Sequence, residues 1–348
     1  MVADLTRDGK VVSARIDTLT ELGAKQSRPM TRGDVVIAVS GAPGLPAILA
    51  HDACIHDGFV GLRALDGNRL DAEFLYAYLT FIKSTSNSQA VGAIFKNLTT
   101  DQIKGIEIPE LPLAEQRRIA ELLDRAEALR AKRRAAVAQL DSLTQSIFLD
   151  SFVANKKFPA ESLDSICELI TDGTHYTPTY SETGVIFLSS RNVTSGYITW
   201  DDVKFIPESL HTELHRRVAP KMKDILLAKN GTTGIAAIVD RDYVFDIYVS
   251  LALLRPSGRL LPIFLQQAIN SPACTRQFNA SLKGIGVPNL HLKEIRKTTI
   301  PVPPIELQSE FARRVTAVEK LKTAQRASLA ELDALFATLQ HRAFRGEL

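Results

Sequence analysis

The chain has 348 residues, of which 45% are apolar and 23% are charged, a composition typical of a globular protein with two or three domains. Its formal net charge of +3 is too small to indicate a protein that binds polyanions or membrane surfaces by bulk charge. Cys54, Cys167 and Cys274 lie far apart and form neither a metal-binding nor a disulfide pattern. The chain has no apolar run of membrane-spanning length and no signal peptide, so we expect a cytoplasmic protein.

Short apolar runs bounded by Gly, Asn and Asp predict strands at 34–38, 225–228 and 236–239. Residues 71–84 and 261–271 have the pattern of short helices. Each of these mixed regions is followed by a long helical segment. The sequence therefore predicts four segments and an α+β fold, the segments being residues 1–112, 113–152, 153–304 and 305–348.

The chain contains one internal duplication. Asn97-Leu98, Ile108-Pro109 and Gln116 recur 192 residues later as Asn289-Leu290, Ile300-Pro301 and Gln308. Upstream, residues 34–41 recur as residues 224–231 with an offset of 190. Because each unit is much longer than the 20–50 residues of solenoid repeats, this pattern predicts two copies of one fold related by a pseudo-two-fold axis.

The two copies differ at their beginnings. At these offsets, residues 158–190 of the second copy have no counterpart in the first copy. We therefore expect the first copy to be truncated at its N-terminus.

The two long helices, which begin after proline-rich segments, show a 3-4 spacing typical of a coiled-coil seam. About 36 helical residues correspond to roughly 54 Å, the length of a spacer. The predicted seam positions are Ile119, Leu122, Leu129, Arg133, Leu140, Leu143, Ile147, Phe311, Val318, Leu321, Gln325, Leu332, Leu335 and Leu339.

Polar positions occur in the middle of both stripes. If the helices pack antiparallel, these middles meet and Arg133 lies near Gln325, because a polar layer is best tolerated opposite another polar layer. The alternative is a simple helical hairpin inside a larger core.

A search for catalytic patterns gives a negative result. The sequence has no phosphate-binding loop, no dinucleotide-binding glycine motif, no HExxH and no (Asn/Asp)-Pro-Pro-aromatic motif of amino-methyltransferases. His211 and His215 have no third ligand at a recognisable spacing, so we expect an exposed helix face there and no metal site. Binding is therefore favoured over catalysis.

Three loops of the second copy are rich in the residue types that proteins use to contact base edges and phosphates. Residues 153–304 carry a net charge of +3, whereas residues 1–112 carry −2. Ordinary Gly and Asn turns are the alternative explanation for each loop. The candidate contacts are Thr171, Gly173, His175, Tyr176, Arg191, Asn192, Lys229, Asn230 and Thr232.

The duplicated layout resembles the specificity (S) subunits of type I restriction-modification enzymes. The resemblance covers the chain from about Arg28 and is carried by 97–116 and its repeat 289–308. Leu169-Ile-Thr-Asp-Gly-Thr-His-Tyr-Thr-Pro178 and Ala343-Phe-Arg-Gly-Glu-Leu348 also look like landmarks of this family. Each motif is weak alone, but their duplicated order is specific.

This resemblance implies two mixed α/β target-recognition domains, each reading half of a bipartite double-stranded DNA sequence. An antiparallel two-helix coiled coil would separate the domains and dock modification (M) subunits. The S subunit itself would be non-catalytic and bind no cofactor. S-adenosylmethionine would be bound by the M subunits, and ATP and Mg²⁺ by partner subunits that include the restriction (R) subunits.

The unmatched residues 158–190 are a departure from this family layout. We expect the first domain to read its half-site weakly or not at all for this reason. A degenerate or partial S subunit that acts as an interaction scaffold is therefore the alternative function. A hydrolytic or ligand-binding enzyme would require a constellation that the sequence does not show.

Overall fold

The computed structural model describes residues 2–13, 17–63, 65–85, 98–154, 158–282 and 289–348. The chain divides into two compact units. Unit 1 comprises Met1–Ala135 and Gln325–Leu348, and unit 2 comprises Ala136–Ala324. Within the described ranges, none of the helices combines the length and the apolar character that a membrane span requires.

Unit 1 is a small mixed α/β body. Its shorter helices are α1 (Val2–Asp8), α2 (Glu21–Gln26), α3 (Ala72–Thr85) and α4 (Thr100–Lys104). Its strands are β1 (Val11–Val12), β2 (Arg28–Met30), β3 (Val35–Ala38), β4 (Pro46–Leu49), β5 (Ala53–Ile55) and β6 (Phe59–Leu62). The repeat residue Asn97 lies outside the described residues.

The main sheet of unit 1 has the order β1-β4-β3-β6. Strand β3 pairs antiparallel with β4 and β6, whereas β1 pairs parallel with β4. All four residues of β3 are buried, because the sheet is covered on both faces. One face packs on Leu75 and Leu79 of α3, and the other on Leu5 of α1 and on Met30.

The first of the two long helices, α5, runs from Leu113 to Phe148 and continues as a π-helical turn over Leu149–Val153. Its first part belongs to unit 1 and its last part to unit 2. The sequence predicted a helix over 113–152, in close agreement with these bounds. As domain limits, the four predicted segments stay a prediction.

Unit 2 is larger and is also mixed. Its helices are α6 (Leu163–Ile166), α7 (Glu208–Arg217), α8 (Pro262–Ile269), α9 (Pro272–Ser281), α10 (Leu292–Lys297) and the start of α11 (Ile305–Phe344). Its strands are β7 (Ala160–Ser162), β8 (Cys167–Asp172), β9 (Val185–Leu188), β10 (Lys204–Ile206), β11 (Ile225–Ala228), β12 (Ala236–Ile238), β13 (Phe245–Ile247), β14 (Leu251–Pro256) and β15 (Thr299–Pro301).

Two sheets organise unit 2. The antiparallel sheet β12-β11-β14-β8 packs one face on a core that includes Phe148, Phe264 and Phe311. The other face of this sheet packs against a second core with Leu188, Trp200 and residues of β13. The second sheet, β10-β9-β13, is mixed, since β13 is parallel to β9. This layout confirms the predicted α+β class.

The duplication is visible in the backbone of the two hairpins, β3–β4 and β11–β12. Gly44 donates its N–H to the Ala38 carbonyl at 2.8 Å, and Gly234 donates to the Ala228 carbonyl at the same distance. Both glycines have positive φ, 78° and 88°, which favours glycine at this turn.

The sheets of the two units differ at both edges. In unit 1, β1 pairs with β4, whereas the equivalent strand β12 of unit 2 forms the edge of its sheet. Strand β14 of unit 2 pairs with β8, which immediately precedes the candidate loop at Thr171–Tyr176. In unit 1 the equivalent strand β6 forms the edge of its sheet, and no strand is assigned beside it in the described part of the chain. Among the described residues, the loop-bearing strand is found in the second copy.

Within each unit the parts of α5 and α11 run antiparallel. In unit 1, Arg133 donates a hydrogen bond to the Gln325 side chain, the contact that the antiparallel register predicted. Three residues earlier on α5, Arg130 forms an ion pair with Asp333 at 2.6 Å. In unit 2, Lys322 pairs with Asp141 at 2.7 Å.

The seam itself has a different phase from the predicted one. One set of predicted positions faces inward at least in part, namely Ile119, Arg133, Leu140, Ile147, Phe311, Val318, Gln325, Leu332 and Leu339. In the other set, Leu122 is half-buried but Leu129, Leu143, Leu321 and Leu335 are 42–63% exposed. The prediction for these four leucines is wrong.

The residues that face inward in place of this second set lie one position further along each helix. On α5 they are Leu123, Arg130, Val137 and Thr144, and on α11 they are Val315, Lys322, Leu329 and Phe336. The helices therefore follow a 4-3 spacing after Ile119 and Phe311. Arg130 fits this seam because its guanidinium lies 4.3 Å from the Phe336 ring while also pairing with Asp333.

A repeated hydrogen-bond set fixes the first turn of each long helix. The buried Gln116 side chain accepts from the Asp71 N–H at 2.9 Å and donates to the carbonyls of Arg69 and Leu111, both at 2.8 Å.

Gln308 repeats these three bonds in unit 2. It accepts from the Leu261 N–H and donates to the carbonyls of Arg259 and Pro303, each at 2.9 Å. Gln308 is fully buried. The buried carboxamide thus bonds one N–H and two carbonyls, of which the Pro303 carbonyl is buried and the other two groups are part-buried.

A first prediction concerns this carboxamide. We expect Gln308→Leu to lower the free energy of unfolding by about 3 kcal/mol, because the buried carboxamide loses three hydrogen bonds to buried or part-buried backbone groups. Urea unfolding of the full chain measures this change. The matched control is Gln139→Leu at an exposed position of α5, which should change stability by less than about 0.5 kcal/mol. Equal effects of both substitutions would contradict the proposed role.

A second prediction tests the seam phase. Leu123 is 3% exposed and packs in the cluster that contains Phe74 and Phe344, so Leu123→Asp should cost at least about 3 kcal/mol. Leu129→Asp, six residues further along α5, should stay within about 0.5 kcal/mol of the native stability because Leu129 is 56% exposed. Urea midpoints of the two variants decide between the phases, and a larger loss for Leu129→Asp would restore the original seam.

Candidate nucleic-acid interface

The first candidate loop begins where β8 ends, at Asp172. Gly173 packs its backbone directly on β13, and a Cβ at this position would lie 1.9 Å from the Ile247 carbonyl oxygen. Thr174 donates its N–H to that same carbonyl at 3.1 Å and accepts from the Val249 N–H at 2.9 Å. Glycine is required here by close backbone approach, since its φ is not in the left-handed region.

Asp172 is the centre of the site. Its carboxylate, which is 3% exposed, accepts from Lys229 Nζ at 2.6 Å and from Arg217 Nη2 at 3.3 Å. The His175 ring nitrogen Nε2 lies 3.2 Å from the same carboxylate. A buried carboxylate requires such partners. Asp172 therefore joins the first loop to Lys229 at the start of the third loop.

The second loop is held to the same framework through Ser250. The Ser190 N–H donates to Ser250 Oγ at 3.0 Å, and the Lys229 N–H donates to the Ser250 carbonyl at 2.9 Å. Within the loop, Asn192 accepts from the Ser189 N–H at 2.9 Å and donates to the Asp202 carbonyl, also at 2.9 Å. The structure thus brings the three predicted loops together.

The nine candidate residues divide by exposure. His175, Tyr176, Arg191 and Thr232 are exposed, whereas Thr171 and Asn230 are half-buried. The ion pair of Arg191 with Asp202, at 3.7 Å between two highly exposed side chains, is too weak to hold the guanidinium in place. These exposed side chains are available to a ligand, and their contact with DNA stays a prediction.

Three candidates require correction. Gly173, Asn192 and Lys229 are buried, so the structure does not support direct contacts from these residues to base edges or phosphates. Gly173 allows close packing, Asn192 closes its own loop, and Lys229 neutralises Asp172. Their role is to position the exposed residues.

Sequence reasoning missed the residues that join the loops. Asp172 lies between two candidates, but its partners Arg217 and Lys229 are 45 and 57 residues away. Ser250 belongs to a segment with no recognisable motif. The available signal was the adjacent basic pair Arg216 and Arg217 at the end of α7, which follows the two histidines that were expected on an exposed helix face.

The expectation for His211 and His215 is also corrected. Both histidines contact Asp246 of β13. Asp246 Oδ2 lies 2.7 Å from His211 Nδ1, and Asp246 Oδ1 lies 3.4 Å from His215 Nδ1. Burial raises the pKa of the Asp246 carboxyl, and the hydrogen bonds from the two histidines partly oppose this shift. The histidine pair therefore faces a buried carboxylate on its inner side.

The fold and the joined loops define a duplicated α+β protein whose second copy presents a polar, partly basic loop surface. Residues 4–139 and 161–333 match the family model described as the type I restriction modification DNA specificity domain. Since these residues make up most of the chain, the protein belongs to this family.

Two curated relatives agree with this assignment. The EcoBI specificity subunit of Escherichia coli is 23% identical over 318 residues, which cover 81% of this chain and 66% of that protein. The chain thus spans slightly less than two thirds of that relative's length. The EcoKI specificity subunit of Escherichia coli strain K12 is 24% identical, with 93% of this chain and 76% of that protein covered.

A solved structure supports the fold. It describes complex assembly and conformational transition of a type I R-M system, and it superposes on this chain with a TM-score of 0.60 at 21% identity. The superposition covers 92% of this chain and 83% of the solved chain.

A prediction tests the close packing at the base of the first loop. Gly173→Ala should lower the free energy of unfolding by about 3 kcal/mol, because the added methyl group would meet the Ile247 carbonyl. Gly258→Ala is the matched control in the same unit, since a Cβ there meets no atom within 4 Å. Denaturant unfolding measures both changes. A tolerated Gly173→Ala, with native-like stability, would show that the loop base is not packed as described.

Proposed function

We propose that this chain is the DNA sequence-specificity subunit of a type I restriction-modification enzyme, acting in the cytoplasm on a bipartite double-stranded target. The observation that carries the proposal is the joining of three loops around Asp172, which presents His175, Tyr176, Arg191 and Thr232 to solvent on a rigid base. The family match and the names of the relatives agree with this function.

The exposed side chains have the chemistry for base and phosphate contacts. Arg191 offers a planar guanidinium that can bind guanine or phosphate in two hydrogen bonds. Thr232 can contact bases through its hydroxyl or methyl group, and Tyr176 adds an aromatic surface that is 47% exposed.

The electrostatics of the cluster also favour an anionic ligand. Asp172 offsets the buried charge of Lys229, while Arg217, whose side chain is half exposed, adds a further positive charge at the loop base. Asp172, Lys229 and Arg217 together therefore carry a formal charge of +1, although the total charge of the chain is small.

Partner docking is supported by surfaces that occur twice. A groove of about 580 Å³ lies beside the start of α5 in unit 1, lined by Pro109 and Pro112 among others. Unit 2 has an equivalent groove of about 590 Å³ beside the start of α11, lined by Pro303 and Pro304 among others. Two equivalent grooves fit two copies of one partner, for which we propose the methyltransferase (M) subunits.

The exposed leucines of the long helices are further candidates for partner contacts. Leu129 and Leu335 lie on the paired helices of unit 1, and Leu143 and Leu321 lie on those of unit 2. Leu129 and Leu321 are equivalent in the repeat, as are Leu143 and Leu335, so the two copies expose leucine at the same two helix positions. In this proposal S-adenosylmethionine is bound by the M subunits, ATP and Mg²⁺ by partners that include the restriction (R) subunits, and the present chain performs no catalysis.

The DNA proposal is tested by the salt dependence of binding, measured on the complex of this chain with M subunits. Replacing a phosphate-contacting arginine reduces the slope of log K against log salt by about 1. We expect this reduction for Arg191→Gln or, if Arg191 contacts a base, a change in the methylated DNA motif. Arg276→Gln, on an exposed face of α9, is the charge-matched control and should leave slope and motif unchanged.

Lys229→Met separates positioning from contact. Because Lys229 is buried, its loss should lower domain stability by about 3 kcal/mol and leave the salt slope unaltered for the folded fraction. A reduced slope with native stability would show that Lys229 contacts phosphate after all. Two results together would refute DNA reading by this surface. In Arg191→Gln, both the slope of log K against log salt and the methylated motif would be unchanged, and the native complex would bind DNA with an affinity that does not depend on salt.

Docking is tested independently with Leu129→Asp. The exposed leucine tolerates the change in the isolated chain, so a loss of M-subunit association on size-exclusion chromatography would report the interface alone. Undiminished assembly of this variant and of Leu321→Asp would exclude the leucine surfaces from docking.

A further inference from the structure

A second polar cluster in unit 2 lies on α7 and β13. The four-residue spacing places His211 and His215 one above the other on the same face of α7. Their rings are 4.7 Å apart, and Asp246 projects from the adjacent strand between them. The fold thus brings together three potential metal ligands, although His211 and Asp246 are 35 residues apart in the sequence.

The dimensions of this cluster fit a small divalent ion. One ligand atom from each residue can be chosen so that all three atoms lie within 4.8 Å of one another. Bonds of about 2.0–2.1 Å to nitrogen or oxygen in a tetrahedral site separate neighbouring ligands by roughly 3.3 Å. Small side-chain rotations therefore suffice to bring the three atoms to coordination distance.

The environment of Asp246 also favours a cation. Asp246 is 2% exposed and lies between Phe245 and Ile247, both buried. Across the described ranges, its ion-pair partners are His211 and His215, without a Lys or Arg. The neighbouring Arg217 instead donates to Asp172 and to the Gly173 carbonyl. A buried carboxylate next to two imidazoles offers the charge and the nitrogen and oxygen ligand atoms that a divalent metal requires.

We propose that His211, His215 and Asp246 form a binding site for a divalent transition metal, with zinc as the physiological class. Two imidazoles and one carboxylate suit Zn²⁺, Co²⁺ and Ni²⁺ better than Mg²⁺ or Ca²⁺, which prefer oxygen ligands alone. A water molecule or solvent-facing group would complete the fourth position.

The consequence for the molecule is mechanical. The metal would tie α7 to β13, and the residue after Asp246, Ile247, contacts both Gly173 and Thr174 at the base of the first loop. The same helix holds Asp172 through Arg217. The ion would therefore fix the platform of the candidate recognition loop without contacting the ligand of that loop.

Cobalt binding tests the proposal on the full chain. After removal of metals with a chelator, the wild-type chain is titrated with Co²⁺ and its visible absorption is recorded. We expect one Co²⁺ per chain with the intense d–d bands of four-coordinate cobalt, displaced by one equivalent of Zn²⁺. Zn²⁺ should also raise the thermal midpoint of the chain, because ligands that bind the folded state stabilise it.

Two variants and one control localise the ion. His211→Gln and His215→Gln should each weaken Co²⁺ binding at least about 100-fold, since each removes a direct ligand. His51→Gln removes an exposed histidine of unit 1 and should bind Co²⁺ like the native chain. Circular dichroism checks the fold of each variant, and His215, the more exposed of the two ligands, gives the variant best able to fold.

X-ray absorption on the zinc-loaded native chain keeps the test independent of the variants. Scattering from two imidazoles and one carboxylate oxygen supports the site. Absence of stoichiometric binding by the native chain, equal binding by folded His215→Gln, or absorption spectra without two imidazoles would overturn the proposal. None of these readouts involves DNA or partner subunits, so they are independent of the proposed function.

Discussion

The buried carboxamides of Gln116 and Gln308 are the constraint on which the rest of the fold depends. Each satisfies one N–H and two carbonyls at the point where a long helix leaves its own mixed body. The same three bonds in both copies fix the rotation of each helix about its axis from the first turn. Because helix rotation decides which side chains face inward, the phase of the seam follows from these two residues. An apolar side chain could fill the space but could not satisfy the three groups.

The sequence predicted the helices and their antiparallel register, but four of the predicted seam leucines are exposed. Hydrophobic periodicity favoured Leu129 and Leu335, whereas the structure turns Arg130 and Lys322 inward. Both cations are accommodated because their aliphatic stems pack in the seam while their charged ends pair with acidic residues of the opposite helix. Periodicity counts apolar residues and therefore cannot recognise a seam built partly from ion-paired cations. The four leucines that were predicted to face inward are correspondingly exposed.

The candidate site divides in the same way between what residue types predict and what only packing reveals. The three loops could be located from their glycines, amides and basic residues, and the structure joins them. The sequence could not show that Lys229 is buried, because its partner Asp172 is 57 residues away and the pairing depends on how β14 aligns with β8. Likewise Asp246 became the neighbour of His211 only through the packing of α7 on β13. Long-range contacts of single polar residues leave no periodic pattern in a sequence.

Helix α7 is held at two points by two buried carboxylates, and this arrangement separates the framework from the reading surface. Arg217 binds Asp172 at the end of β8, while His211 and His215 contact Asp246 on β13. Buried charges resist substitution, since removal of one partner leaves the other uncompensated. Exposed residues such as Arg191 and Thr232 have no such constraint, and surface substitutions change stability little. A protein built in this way can change its exposed loop residues without changing its fold.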